Sequence, residues 1–134
     1  MADTVTSQTI QDGGKTAVLK FTNESDGSGE SSVKKVDVSE LATDSAGNAC
    51  TSVSIARIYW ACRGMGVDIE FDATTNVLAT TLPANSTGDE YYDLFGSIPN
   101  NAGSGVTGDI DFTTVSASSG DAYSIILVLH KNYS

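Results

Sequence analysis

Val67, Ile69 and Phe71 alternate with Asp68, Glu70 and Asp72, and this strict period of two restricts the fold more than any other feature of the sequence. Successive side chains on a strand point to opposite faces, so such a segment buries one face and wets the other. The pattern recurs along the chain. Residues 15–23 set Ala17, Leu19 and Phe21 inward against Lys20 and Thr22, and residues 32–38 place Val36 and Val38 on one face. Residues 4–10, 52–62, 76–82, 91–95, 109–115 and 122–131 read as further strands, with Val5 an early apolar anchor and Pro83 stopping the segment before it. Glycine-, serine- and asparagine-rich breaks at 12–14, 25–30, 44–48, 64–66, 100–108 and 118–121 supply the turns. No stretch keeps apolar residues at helical spacing through three turns; residues 39–46 and 89–95 are the best short helical candidates.

Nine short strands with frequent turns predict an all-β fold, an antiparallel β-sandwich of jelly-roll type with eight or nine strands. Residues 1–12 form an extended N-terminal arm or edge strand. At 134 residues and 40% apolar content, residues 1–134 make a single domain with a sizeable core. No apolar run approaches the length of a membrane helix, and the opening MADTVTSQTI has neither the basic nor the apolar region of a signal peptide.

Charge removes further classes. Seven Lys and Arg stand against 17 Asp and Glu, a formal net charge of −10. Such a chain repels phosphate backbones and anionic lipid, so neither nucleic acid nor membrane is expected as a partner.

Chemistry has few candidates. His130 is the only histidine, and no G-x-S-x-G elbow accompanies it. Cys50 and Cys62 bracket most of one strand, too far apart for a disulfide if that strand is extended, so free thiols are expected. Two cysteines and one histidine do not make a zinc site. The carboxylates Asp68/Glu70/Asp72 and Asp109/Asp111 have the spacing of a solvated sheet face, although calcium and glycosidase sites use similar clusters. Asp26, Ser28 and Glu30 only faintly resemble a calcium loop. Tyr59-Trp60 and Tyr91-Tyr92 could stack on sugars or simply pack. No enzyme activity, cofactor or metal is expected.

Two strands are apolar on both faces. Residues 52–62 carry Ile55, Tyr59 and Ala61 on one side and Ala56, Ile58 and Trp60 on the other; residues 122–131 oppose Tyr123, Ile125, Leu127 and Leu129 with Ile126 and Val128. Either loops or the N-terminal arm cover the second faces, or another subunit does. On the latter reading the contact residues are Ile58, Trp60, Ile126 and Val128, with Thr4, Val5 and Ile10 of the arm.

At Pro99-Asn100-Asn101-Ala102-Gly103, Gly105 and Thr107-Gly108-Asp109-Ile110, followed by Phe112-Thr113-Thr114, the chain resembles a family of small virion structural proteins of tailed bacteriophages, marine ones especially. Residues 1–23, Lys34-Lys35-Val36-Asp37-Val38, Gly64-Met65, Asp72-Ala73-Thr74 and Gly120-Asp121 with Ile125-Ile126-Leu127 extend the likeness over nearly the full length. Residues 44–50 and both cysteines depart from the pattern. The resemblance implies a virion component assembled in the bacterial cytoplasm and carries over no catalytic residue. The expected role is a capsid decoration (cement) protein, held by the major capsid protein or other virion proteins. Self-association is expected too, with trimers favoured by the local three-fold sites of capsids. A neck, tail or fibre component is the alternative, as is a host-adsorption module binding carbohydrate or calcium.

Overall fold

The computed structural model describes residues 3–92 and 97–133. Nine strands follow one another: β1 (Thr4–Asp12), β2 (Thr16–Asp26), β3 (Val33–Val36), β4 (Ser52–Arg63), β5 (Gly66–Phe71), β6 (Val77–Leu82), β7 (Thr87–Tyr91), β8 (Ile110–Val115) and β9 (Ser119–Asn132). They build a five-stranded sheet, β1-β2-β9-β4-β7, and a four-stranded sheet, β3-β8-β5-β6, with every pairing antiparallel. From β2 onward each connection crosses to the opposite sheet except the β5–β6 hairpin. This is the jelly-roll order of two facing four-stranded sheets, with β1 added beside β2.

The alternation read from sequence builds the core. Leu19 and Phe21 of β2, Val67, Ile69 and Phe71 of β5, Ile110 and Phe112 of β8, and Tyr123, Ile125, Leu127 and Leu129 of β9 point between the sheets and are buried. Phe112 lies at the centre, edge-on to Phe21 (ring centroids 5.4 Å apart) and to Tyr123 (5.9 Å), the arrangement that ring quadrupoles favour. Cys50 and Cys62 are both buried and free, and burial pushes each thiol's pKa up.

Several expectations change. The helical candidate at 39–46 reduces to one 3₁₀ turn, Val38–Glu40, capped by Asp37, whose Oδ1 accepts from the Ser39 amide; at Leu41 the backbone is already extended. Residues 89–91 lie in strand β7, which starts at Thr87 and not at Tyr91; the rest of both the helical and the strand reading there, residues 93–95, lies outside the described residues. The N-terminal arm is an edge strand, hairpinned onto β2 through Gly13-Gly14, so it lengthens the sheet and covers neither of its faces. The arm is anchored at both ends. Asp12 receives the buried ammonium of Lys131 (2.6 Å) and the Ala42 amide (2.8 Å), while Lys131 also donates to the carbonyls of Gly13 and Ala42 (both 2.8 Å). Asp3 accepts from the Asn23 side chain and from the Asp26 and Gly29 amides, gathering the β2–β3 loop around itself.

The 100–108 loop makes a close backbone approach within the chain. Gly108 has φ +88, and a Cβ there would lie 2.0 Å from the Thr51 carbonyl oxygen. Only glycine fits, because both the conformation and the space exclude a side chain.

Candidate protein–protein interface

Strand β4 hides a change of phase. Ile55 pairs with Leu129 but Arg57 pairs with Val128, so Ala56 is an extra residue, a β-bulge. Before it Val53 and Ile55 face the core; after it Ile58 and Cys62 do. The bulge therefore puts Ile55 and Ile58 on one face, although their separation by an odd number of residues assigns them to opposite faces in a regular strand.

This turns two of the seven expected contact residues, Ile58 and Trp60, to the inner face. Ile58 is fully enclosed, with 0% of its surface accessible, and cannot meet another subunit. Trp60 pairs with Ile125 and faces the same inner side, lying over Gly88 of the neighbouring strand and donating from its indole nitrogen to Ser86 Oγ (3.0 Å). Ile126 and Val128 do point outward, half-buried among their neighbours. Thr4, Val5 and Ile10 are exposed on β1, where Val5 and Ile10 show about half of their surface (46% and 53%).

The residues that share the outer face with Ile126 and Val128 are different ones. Tyr59 lies opposite Ile126, Arg57 opposite Val128, and Val18 opposite Val128 on the other side. Tyr91 lies opposite Arg57 on β7. The Arg57 guanidinium is 4.6 Å from the Tyr59 ring centre and 5.0 Å from that of Tyr91, and it binds Asp89 through two hydrogen bonds of 2.8 and 2.6 Å. That pairing raises the pKa of Arg57 and holds the Asp89 carboxyl below the usual range. An apolar and aromatic stripe thus crosses the five-stranded sheet; Arg57 within it is neutralised by Asp89, and Lys20 lies opposite Ile126 on the same face. His130 lines a shallow hollow beside Val128, Tyr59 and Tyr91. Sequence reasoning left Arg57 and Tyr59 out of the contact set because nothing local announces the bulge, and a regular β4 leaves Tyr59 on the same face as Ile55; Tyr91 stood out only as a stacking or packing residue, since nothing in β7 names β4 as its neighbour.

The opposite sheet has another character. Asp68 and Glu70 of β5, and Asp72 just beyond it, line its outer side with Asp111 of β8, supported by hydroxyl and amide donors: Thr81 to Asp68 (2.5 Å), Thr113 to Glu70 (3.1 Å), Thr107 to Asp72 (2.7 Å) and Asn76 to Asp111 (3.0 Å). The solvated-face reading holds for β5 but not for Asp109 and Asp111, which keep only 4% and 3% of their surface accessible. Asp109 accepts from the Val38 amide (2.9 Å) and pairs with Lys34 (3.0 Å). Asp111 leaves one buried carboxylate oxygen without a hydrogen bond, and burial first, then nearby Asp72, pushes its pKa up to about 6. Among the described residues no three His, Cys, Asp or Glu side chains are placed to hold a metal ion. In the 26–30 loop Glu30 turns inward, taking the Lys35 ammonium at 2.5 Å and the Tyr123 hydroxyl at 2.6 Å.

No family model matches the chain, and no curated protein matches it. Among solved structures it is similar to an uncharacterized conserved protein with a double-stranded beta-helix domain from Klebsiella pneumoniae subsp. pneumoniae MGH 78578. The likeness covers 97% of this chain and 75% of that one at 8% identity, with a TM-score of 0.35. The jelly-roll assignment rests on the strand order given above.

Proposed function

We propose that this chain is a non-enzymatic structural protein of a phage virion, a capsid decoration protein that works by contact with the shell and with its own copies. One observation carries the reading: the uncovered face of the five-stranded sheet, with Val18, Tyr59, Tyr91, Ile126 and Val128 around a neutralised Arg57, on a molecule whose other broad face is acidic. Tyrosine and arginine beside aliphatic residues are the composition of protein contact cores. An apolar face left open on a chain of net charge −10 marks where association costs least. The sequence resemblance supplies the virion setting.

The test is reconstitution. Heads stripped of the chain are mixed with purified protein and imaged by electron cryo-microscopy. Hundreds of copies on the outer shell are expected, and the double variant Ile126→Asp/Val128→Asp should lose roughly tenfold or more in retention, as removal of a contact centre does. No binding to heads, or six or twelve copies at the neck or tail, would overturn the decoration role.

A further inference from the structure

Each sheet has two edges, and an open edge invites pairing with another chain unless something guards it. Among the described residues three of the four edges are guarded. β7 is only five residues long and carries the exposed Glu90; β3 is only four residues long; β6 is broken by a bulge at Ala79 and ended by Pro83. β1 is different. It is nine residues long, it is exposed from Thr4 to Gln11, and it holds no charge in that span. The acids that flank it are already engaged, Asp3 by the β2–β3 loop and Asp12 by Lys131. Its bulge falls late, at Ile10, leaving residues 4–9 regular.

We propose that β1 is a self-pairing edge, joining antiparallel to β1 of a second copy so that two five-stranded sheets run on as one. The occupant follows from charge. Each copy carries a net −10, and the β1 edge is the one place where two such bodies meet along a full strand without opposing charges. A two-fold axis between antiparallel strands sets one residue against its own copy; Ser7, central in the regular stretch, meets that condition and brings Thr6 against Gln8 and Val5 against Thr9. Contact between identical edges closes after two copies, so the unit is a dimer and not the trimer that capsid three-fold sites suggest. This inference rests on the self-association in the proposed function and specifies its geometry.

Native mass spectrometry and sedimentation at increasing concentration provide the test. The expected species is twice the 13.9 kDa chain. Ser7→Lys should return it to a monomer with unchanged far-UV circular dichroism; the substitution lowers the net negative charge, so general repulsion does not account for the loss. Ser7→Cys should give a covalent dimer on mild oxidation, whereas Leu78→Cys on the β6 edge should not, and the native thiols are buried. A wild-type chain that stays monomeric at the highest concentration, or a dimer that survives Ser7→Lys, overturns the edge pairing. Head binding by a monomer would then leave the capsid role standing, while an intact β1 dimer that ignores heads would do the reverse.

Discussion

Asp111 is the residue where the sequence reading and the structure differ most in chemical terms. Its place on β8, two residues from Asp109 and next to Phe112, suits a wet outer position, yet Asn76 and the 72–76 turn close over it. Whether a loop folds back over a strand is not written in the strand's own alternation, which explains the miss. The consequence is measurable. A carboxyl whose folded pKa sits near 6, above its unfolded value, favours the protonated form. Its contribution to stability is full below the ordinary aspartate range and is lost as pH rises through about 6. Asp111→Asn keeps the shape and removes the charge. It is expected to raise the unfolding free energy at pH 7 by about 1–3 kcal/mol, the cost of an unsatisfied buried polar group, and to leave stability at pH 4 nearly unchanged. Denaturant titrations at the two pH values check this, and equal effects at both would count against the buried-charge account.

At the scale of elements, β9 and β4 make an instructive pair. Both read as apolar on two faces. For β9 the assignment of Tyr123, Ile125, Leu127 and Leu129 to the core and Ile126 and Val128 to the exterior holds residue by residue, because the strand is regular where it crosses the sheet. For β4 the same reasoning fails from residue 57 onward, because one inserted residue moves every later side chain to the other face. Deleting Ala56 should remove the bulge and leave every later residue opposite its present β9 partner, so Ile58 and Cys62 stay inward while Arg57, Tyr59 and Ala61 stay outward. The expected result is a cooperative thermal transition that survives, lowered by the lost contacts of the buried Ala56. A deletion variant with no cooperative transition would show that the strand needs the bulge for more than its phase. The turns were readable for a simpler reason. Gly64 and Gly108 occupy breaks that the sequence already marks, and at each a positive φ and a neighbour that a Cβ would strike, Asp121 and the Thr51 carbonyl, favour glycine.

For the whole molecule, the fold class was legible in alternation and turn spacing, but the order of strands was not. β2 pairs with β9 across more than ninety intervening residues, and nothing in either strand names the other. Nor does sequence announce that the two broad faces differ so much, one an aromatic stripe around an internal ion pair, the other a row of carboxylates. This asymmetry predicts a salt effect opposite to that of a contact built from ion pairs. Two bodies of net charge −10 repel over about 30 Å at 10 mM salt and only about 8 Å at 150 mM. Self-association through uncharged surface should therefore strengthen several-fold across that range, measured by sedimentation equilibrium. Weakening with added salt would point to an interface held by opposite charges.

The place of β9 between β2 and β4 bears on how the chain comes into being on the ribosome. Until residue 132 has been made, the central slot of the larger sheet is empty, and β2 with β1 has no neighbour on its inner side. The nascent polypeptide thus carries its most aggregation-prone strands unpaired for nearly the whole of translation, and native structure arises in one late, non-local step.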